Sequence, residues 1–299
     1  MSTVIQAALD SWSLPLWLTL GLVITAVVYL RGWLHLRSTS LNVIAPWRTG
    51  SFLLGLISIW IAVASPMTVL DEQLLTIHMV QHLLLMTLAP PLIWLGEPVM
   101  PLLHGLPRSI LRYIVGPVLR WPLVQWVGKS LAQPTVCWLA AVAALLGWHF
   151  PPAFMLGLHS EAWHSVEHMS FLATGLLFWW PVIQPWPAVS KWPDLSIVLY
   201  LFMATLPCDI LAGFLVFCDR VVYTAYFATS QPFGLSALED QQCAGALMWT
   251  CVTVVYLIAG AILTTRLLSP QIAGEDVFRE SRADSGGTTQ SVPQTVEVI

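Results

Sequence analysis

Seven apolar runs, each close to the roughly 20 residues that a helix needs to cross a bilayer, constrain this chain more than anything else in it. They lie near 14–31, 50–68, 74–96, 134–150, 166–185, 195–217 and 243–266. The runs are continuous, without the strict alternation of barrel strands. Only 9% of the 299 residues are charged and 57% are hydrophobic, whereas a soluble domain carries about 25% charged residues. The expected fold is all-α: a polytopic membrane bundle of seven transmembrane helices over 1–269. A polar, Ser/Thr/Gly-rich tail, 270–299, has no apolar period and reads as disordered. The opening MSTVIQAALDSW has no basic stretch before an apolar core and does not read as a cleaved signal peptide.

The charges orient the expected bundle. Arg31, Arg37 and Arg48 fall between runs one and two; Arg108, Arg112, Arg120 and Lys129 between three and four; Lys191 between five and six; Arg266, Arg279 and Arg282 after seven. Arg220 alone lies on the other side. The positive-inside rule places the eleven in the cytoplasm, with the N-terminus outside and the C-terminus and tail inside. An odd number of spans fits that arrangement. With a net charge of −4, nothing suggests nucleic-acid binding. The five cysteines form no CxxC pair, against a redox or zinc-ribbon motif. Cys218 and Cys243 fall on the oxidising side, where a disulfide is an alternative to free thiols. The segment 97–133 mixes basic and apolar residues with Trp121 and Trp126. It reads as short helices lying at the inner interface, or as an ordinary basic loop.

Two HxxxH pairs, His78/His82 and His164/His168, carry the chemistry. Residues four apart share a helix face, so each pair can hold one metal ion or cofactor. Imidazole within a membrane segment is costly and marks a functional site by default. The orientation puts both pairs at the outer end, where His149 closes the fourth run. His159 lies in the outer loop, and its role as a ligand is weaker. Glu167 shares a face with His164, as a ligand or as acceptor of its N–H. Met79, Met86, Met169 and Cys243 add soft donors, and the mixture points to copper before magnesium or calcium. The ordinary reading of each methionine is core filler. Asp209, inside the sixth run after Pro207, needs a partner there.

Three blocks resemble a known family. SPMTVLDEQLLTIHMVQHLLLMTLAPPLIWLGEP, WHFPPAF with HSVEHMSFLATGLLFWWPVI, and LEDQQCAGALMW are similar to the signature of the CtaG-type cytochrome c oxidase assembly proteins, over roughly 50–266. The resemblance implies a seven-helix protein of a bacterial inner membrane that helps build the copper centre of a haem–copper oxidase. Its motif positions here are His78, Gln81, His82, His149, His164, Glu167, His168, Asp240, Gln241, Gln242, Met248 and Trp249. Cys208, Cys243 and Cys251 are not part of that pattern.

The expectation is therefore a non-enzymatic assembly factor. It would bind copper, as Cu(I), at His78, His82, His149, His164, His168 and Glu167, with Met79, Met86, Asp209, Asp240, Gln241, Cys243 and Met248 as secondary candidates. Its partners would be an oxidase subunit as client, membrane lipid and a copper donor at the outer face. Alternatives are a haem-binding redox protein, with histidines from two helices as axial ligands, and a copper transporter, which needs ligands through the full depth. HExxH is absent, which argues against an intramembrane metalloprotease.

Overall fold

A computed structural model describes residues 6, 9, 10, 12–38, 44–184, 192–227 and 234–285, with side chains up to residue 268. Its regular elements are all helical. Seven helices match the seven runs: α1 (Leu16–Ser38), α2 (Pro46–Ala64), α3 (Leu75–Leu95), α4 (Pro134–His149), α5 (Glu161–Ile183), α6 (Asp194–Phe217) and α7 (Ala237–Ser285). Pro46 and Pro134 open α2 and α4, where a missing N–H costs nothing. Six helices are long and apolar enough to cross a membrane alone. The exception is α4, whose 16 residues reach spanning length only together with Pro122–Leu131, from which it bends by 76°. α7 continues to Ser285, into the segment expected to be a disordered tail, and residues 286–299 lie outside those described.

Five helices close a ring. α3 packs on α5, α5 on α4, α4 on α6, α6 on α7, and α7 back on α3. Apolar helices gain little from the hydrophobic effect in lipid, so close packing and small residues set their contacts. Gly245 of α7 meets α6 so closely that a Cβ there would stand 3.1 Å from the Ala212 carbonyl oxygen. Gly175 does the same between α5 and α3, 2.9 Å from the Met86 Cα. Phe178 of α5 stacks on Tyr200 of α6 at 5.0 Å and Tyr256 of α7 at 5.4 Å. Phe178 and Tyr256 line the ring interior together with His82 and His149.

α2 and α1 lie outside the ring. α2 packs on α3 through Ile59, Ala62, Leu85 and Ala89, and α1 packs on α2 through Tyr29, which stacks on Phe52 at 4.0 Å. The Tyr29 hydroxyl donates to the Gly96 carbonyl at 2.8 Å, and Arg48 pairs with Glu97. Together these fix the end of α3. The segment 97–133 is mostly helical. Val99–Gly105 tucks against α1, where Gly32 and Gly105 allow backbones to touch. Tyr113, Ile114, Trp121 and Trp126 are exposed beside the basic residues, the amphipathic make-up of an interfacial segment.

Candidate metal centre

α3 owes its starting point to another helix. The buried Asp240 of α7 accepts the Leu75 N–H at 2.7 Å, the Thr76 N–H at 3.1 Å and the Thr76 hydroxyl at 2.6 Å. The first turn of a helix leaves four backbone donors without partners, and a carboxylate is their natural acceptor. One turn further on, His78 and His82 face into the ring. On α5, His164, Glu167 and His168 share a face by the same three- and four-residue spacing.

The two faces meet. His78 stacks on His164 with ring centroids 5.5 Å apart, and His82 lies 6.0 Å from both His149 and His168. Within the pairs, the rings are 4.3 Å and 4.2 Å apart. Glu167 Oε1 stands 3.3 Å from His82 Nε2 and 3.7 Å from His78 Nε2. Asp71, just before α3, puts Oδ2 3.7 Å from His164 Nε2. Two triads share His78: in His78/His82/Glu167 and in Asp71/His78/His164, the candidate ligand atoms all lie within 4.8 Å of one another.

The cluster is buried and chemically incomplete. Glu167 is 0% exposed, and Asp71, His78, His82, His149 and His168 are buried. Both carboxylates, both ring nitrogens of His78 and of His82, and Nε2 of His149, His164 and His168 make no hydrogen bond among the described residues. Buried polar atoms are almost always satisfied, and leaving a carboxylate bare is costlier still. Burial pushes the Asp71 carboxyl up to about 7. One cation in either triad would take three of these atoms as ligands at once. His149 is preset for that role. Its Nδ1 lies 2.7 Å from the Leu145 carbonyl oxygen, which only accepts, so Nδ1 carries the proton and Nε2 keeps a free lone pair.

A second layer holds the candidate ligands. The Tyr226 hydroxyl donates to the Asp71 carbonyl at 2.9 Å, and the Tyr223 hydroxyl to the His149 carbonyl at 3.0 Å. Phe154 packs on His78 and Phe171 on His82. Gly157, in the helix Pro151–His159, leaves room for Glu167: a Cβ there would stand 2.6 Å from Oε2.

The six primary candidates, His78, His82, His149, His164, His168 and Glu167, thus come together at one end of the ring. The secondary ones disperse. Asp240 and Gln241 brace backbone; Gln241 accepts the Val222 N–H at 2.7 Å and donates to the Arg220 carbonyl at 3.2 Å. Cys243 is exposed on α7, and Met169 points outward from α5. Asp209 sits half-buried on α6 beside Cys208, with Oδ1 lacking a hydrogen-bond partner among the described residues. Met79, Met86 and Met248 line a cavity deeper in the ring, with His82 and His149 at its wall. All five cysteines are free. His159 stays apart, exposed, with Nδ1 on the Met155 carbonyl.

Asp71, Tyr223, Tyr226 and Gly157 were not among the candidates. Asp71 had a legible signal, since it lies seven residues, two helical turns, before His78. The tyrosines sit in an irregular segment with no period to read.

Residues 27–269 match the model of one family, described as cytochrome c oxidase caa3 assembly factor (Caa3_CtaG). An uncharacterized protein of Mycobacterium leprae is 23% identical over 240 residues, covering 79% of this chain and 36% of that protein. Uncharacterized proteins of Mycobacterium bovis and Mycobacterium tuberculosis are each 25% identical over 252 residues, covering 82% of this chain and 37% of theirs. The chain therefore spans little more than a third of the length of the curated relatives it matches. No solved structure matches it significantly. With its three motif blocks on the helices that build the histidine cluster, and a match across most of its length, the chain belongs to the cytochrome c oxidase caa3 assembly factor family.

Proposed function

We propose that this membrane protein takes up copper at the histidine–carboxylate cluster and presents it to a haem–copper oxidase subunit, without catalysing a reaction itself. The observation that carries this reading is the set of unsatisfied ligand atoms on four buried imidazoles, the half-buried His164 and two buried carboxylates, packed at one end of the helix ring. Imidazole with carboxylate suits copper, zinc and iron; membership of an oxidase assembly family favours copper as the cargo. Copper here is a passenger, to be bound and released.

The site has a mouth and a floor. The His164 side chain is 22% exposed, beside Asp71, while His78, His82 and Glu167 lie deeper. An ion would meet Asp71 and His164 first and move to the His78/His82/Glu167 triad, with His78 common to both. Short steps between triads that share a ligand keep exchange easy, as delivery requires. The basic-residue asymmetry supports a reading in which this mouth opens at the outer face of a bacterial inner membrane, with the C-terminus in the cytoplasm. A donor protein and the client subunit would meet it there.

The haem alternative has less support. Phe154 and Phe171 pack against the imidazoles, and the adjoining cavity is only about 40 Å³, far below the ~300 Å³ or more of a typical cofactor pocket.

The test is the His78→Ala/His82→Ala/His164→Ala/His168→Ala variant. Expected are loss of copper from the purified protein and lower activity of the client oxidase in cells. Copper content equal to the parent protein would sink the proposal.

A further inference from the structure

Below the histidine cluster, on the axis of the five-helix ring, lies a cavity of about 40 Å³. Three thioethers and a thiol line it: Met79 and Met86 from α3, Met248 from α7 and Cys208 from α6. His82 and His149 form the wall it shares with the cluster above. Neither Asp71 nor Glu167 reaches it. We infer that this cavity is a second metal site, separate from the outer cluster and selective for a soft monovalent cation, Cu(I).

Donor chemistry is the first argument. Thioether and thiol ligands select Cu(I), while imidazole and carboxylate also take zinc and iron. The chain sorts these donors by depth, with oxygen and nitrogen at the mouth and sulfur within. Charge is the second. The cost of burying an ion grows with the square of its charge, and it is large in an apolar interior. A monovalent ion among neutral donors is the form such a cavity can hold. Room is the third: a water-sized sphere occupies roughly 10–15 Å³, so one ion fits without moving a helix.

Open valences point the same way. His82 and His149 are both buried, and the ring nitrogens of His82 and Nε2 of His149 have no hydrogen-bond partner among the described residues. Met86 lies in the π-helical turn Leu84–Leu88 that interrupts α3. Its carbonyl accepts the Trp179 indole N–H at 3.2 Å, which fixes the backbone of this donor. Such single π turns gather at functional sites. The inference goes beyond the outer-cluster reading and shares only its two wall histidines.

The experiment loads the full-length protein in detergent with Cu(I), anaerobically, against a chromogenic competitor, and records X-ray absorption of the bound metal. Zn(II) binding reports on the outer cluster in parallel. Sulfur neighbours around copper are expected in the parent protein. The Met86→Leu/Met248→Leu variant, close to volume-conserving, should lose Cu(I) affinity by about tenfold or more, with the sulfur signal, and keep Zn(II) binding. Asp71→Asn/His164→Ala should lose Zn(II) and keep sulfur-bound Cu(I). A copper spectrum with no sulfur neighbour overturns the inference. So does unchanged sulfur ligation in the Met79→Leu/Met86→Leu/Met248→Leu/Cys208→Ser variant, an outcome that leaves the outer cluster standing.

Discussion

Glu167 shows how much one buried charge can organise. It is fully enclosed, lies within 3.7 Å of two imidazole nitrogens, and has no hydrogen-bond partner among the described residues. Glu167→Gln keeps its shape and removes its charge. The variant should bind metal roughly 10- to 100-fold more weakly while the metal-free protein melts no lower. Equal affinity, read by competitive titration, would remove Glu167 from the site. Gly157 supplies an independent probe from outside the ligand set. In Gly157→Ala the new methyl would stand 2.6 Å from Glu167 Oε2, so the carboxylate must move. A comparable loss of metal affinity should accompany an overpacking cost of about 1–3 kcal/mol. Retention of full affinity would show that the position of Oε2 does not matter to the metal.

Among the helices, the site depends on where α3 begins. Asp240 caps α3 from α7, and the cap stands one turn before His78. Asp240→Ala should cost about 1–2 kcal/mol, speed amide exchange in the first turn of α3, and weaken metal binding through a misplaced His78. Binding unchanged in the presence of faster exchange would uncouple the cap from the site. α7 itself begins with a capping box. Ser236 Oγ accepts the Glu239 N–H at 3.2 Å, and Glu239 Oε2 accepts the Ser236 N–H at 2.7 Å. This Ser-x-x-Glu signal is present in the sequence, yet a hydropathy reading places the start six residues later, at 243. Hydropathy registers where a helix enters lipid, whereas caps register where hydrogen bonding begins. α5 likewise starts ahead of its apolar run, at Glu161 and not near 166.

The whole molecule separates a stabilising periphery from the ring that carries the candidate metal site. α1 and Val99–Gly105 pack through Gly32 and Gly105, where added Cβ atoms would collide with the carbonyl oxygens of Pro101 and Val28. Gly105→Ala should therefore destabilise the protein and expose the 97–133 segment to protease. Metal content should not change, since neither element joins the ring. Loss of metal without loss of stability would refute that division. The expected orientation makes a further claim at this scale: a reporter fused to the C-terminus should be active in the cytoplasm and silent outside it. The reverse would turn the histidine mouth inward and end its role at the outer face.

Hydropathy alone determined the all-helical class and the seven apolar segments, because a chain without charges over ~20 residues must satisfy its backbone internally in lipid. Periodicity determined that each HxxxH pair faces one way. Neither reports which helices are neighbours. Only the closed ring of α3, α5, α4, α6 and α7 decided that the two pairs meet, that Asp71 joins them, and that Asp240 and Gln241 brace backbone. It also gathered Met79, Met86, Met248 and Cys208 around one cavity, though they lie on three separate helices. The physical reason is that helical spacing fixes side-chain direction within an element, whereas contacts between elements depend on small-residue approaches and on carbonyls satisfied across helices. These are pairings between distant positions that no local pattern encodes.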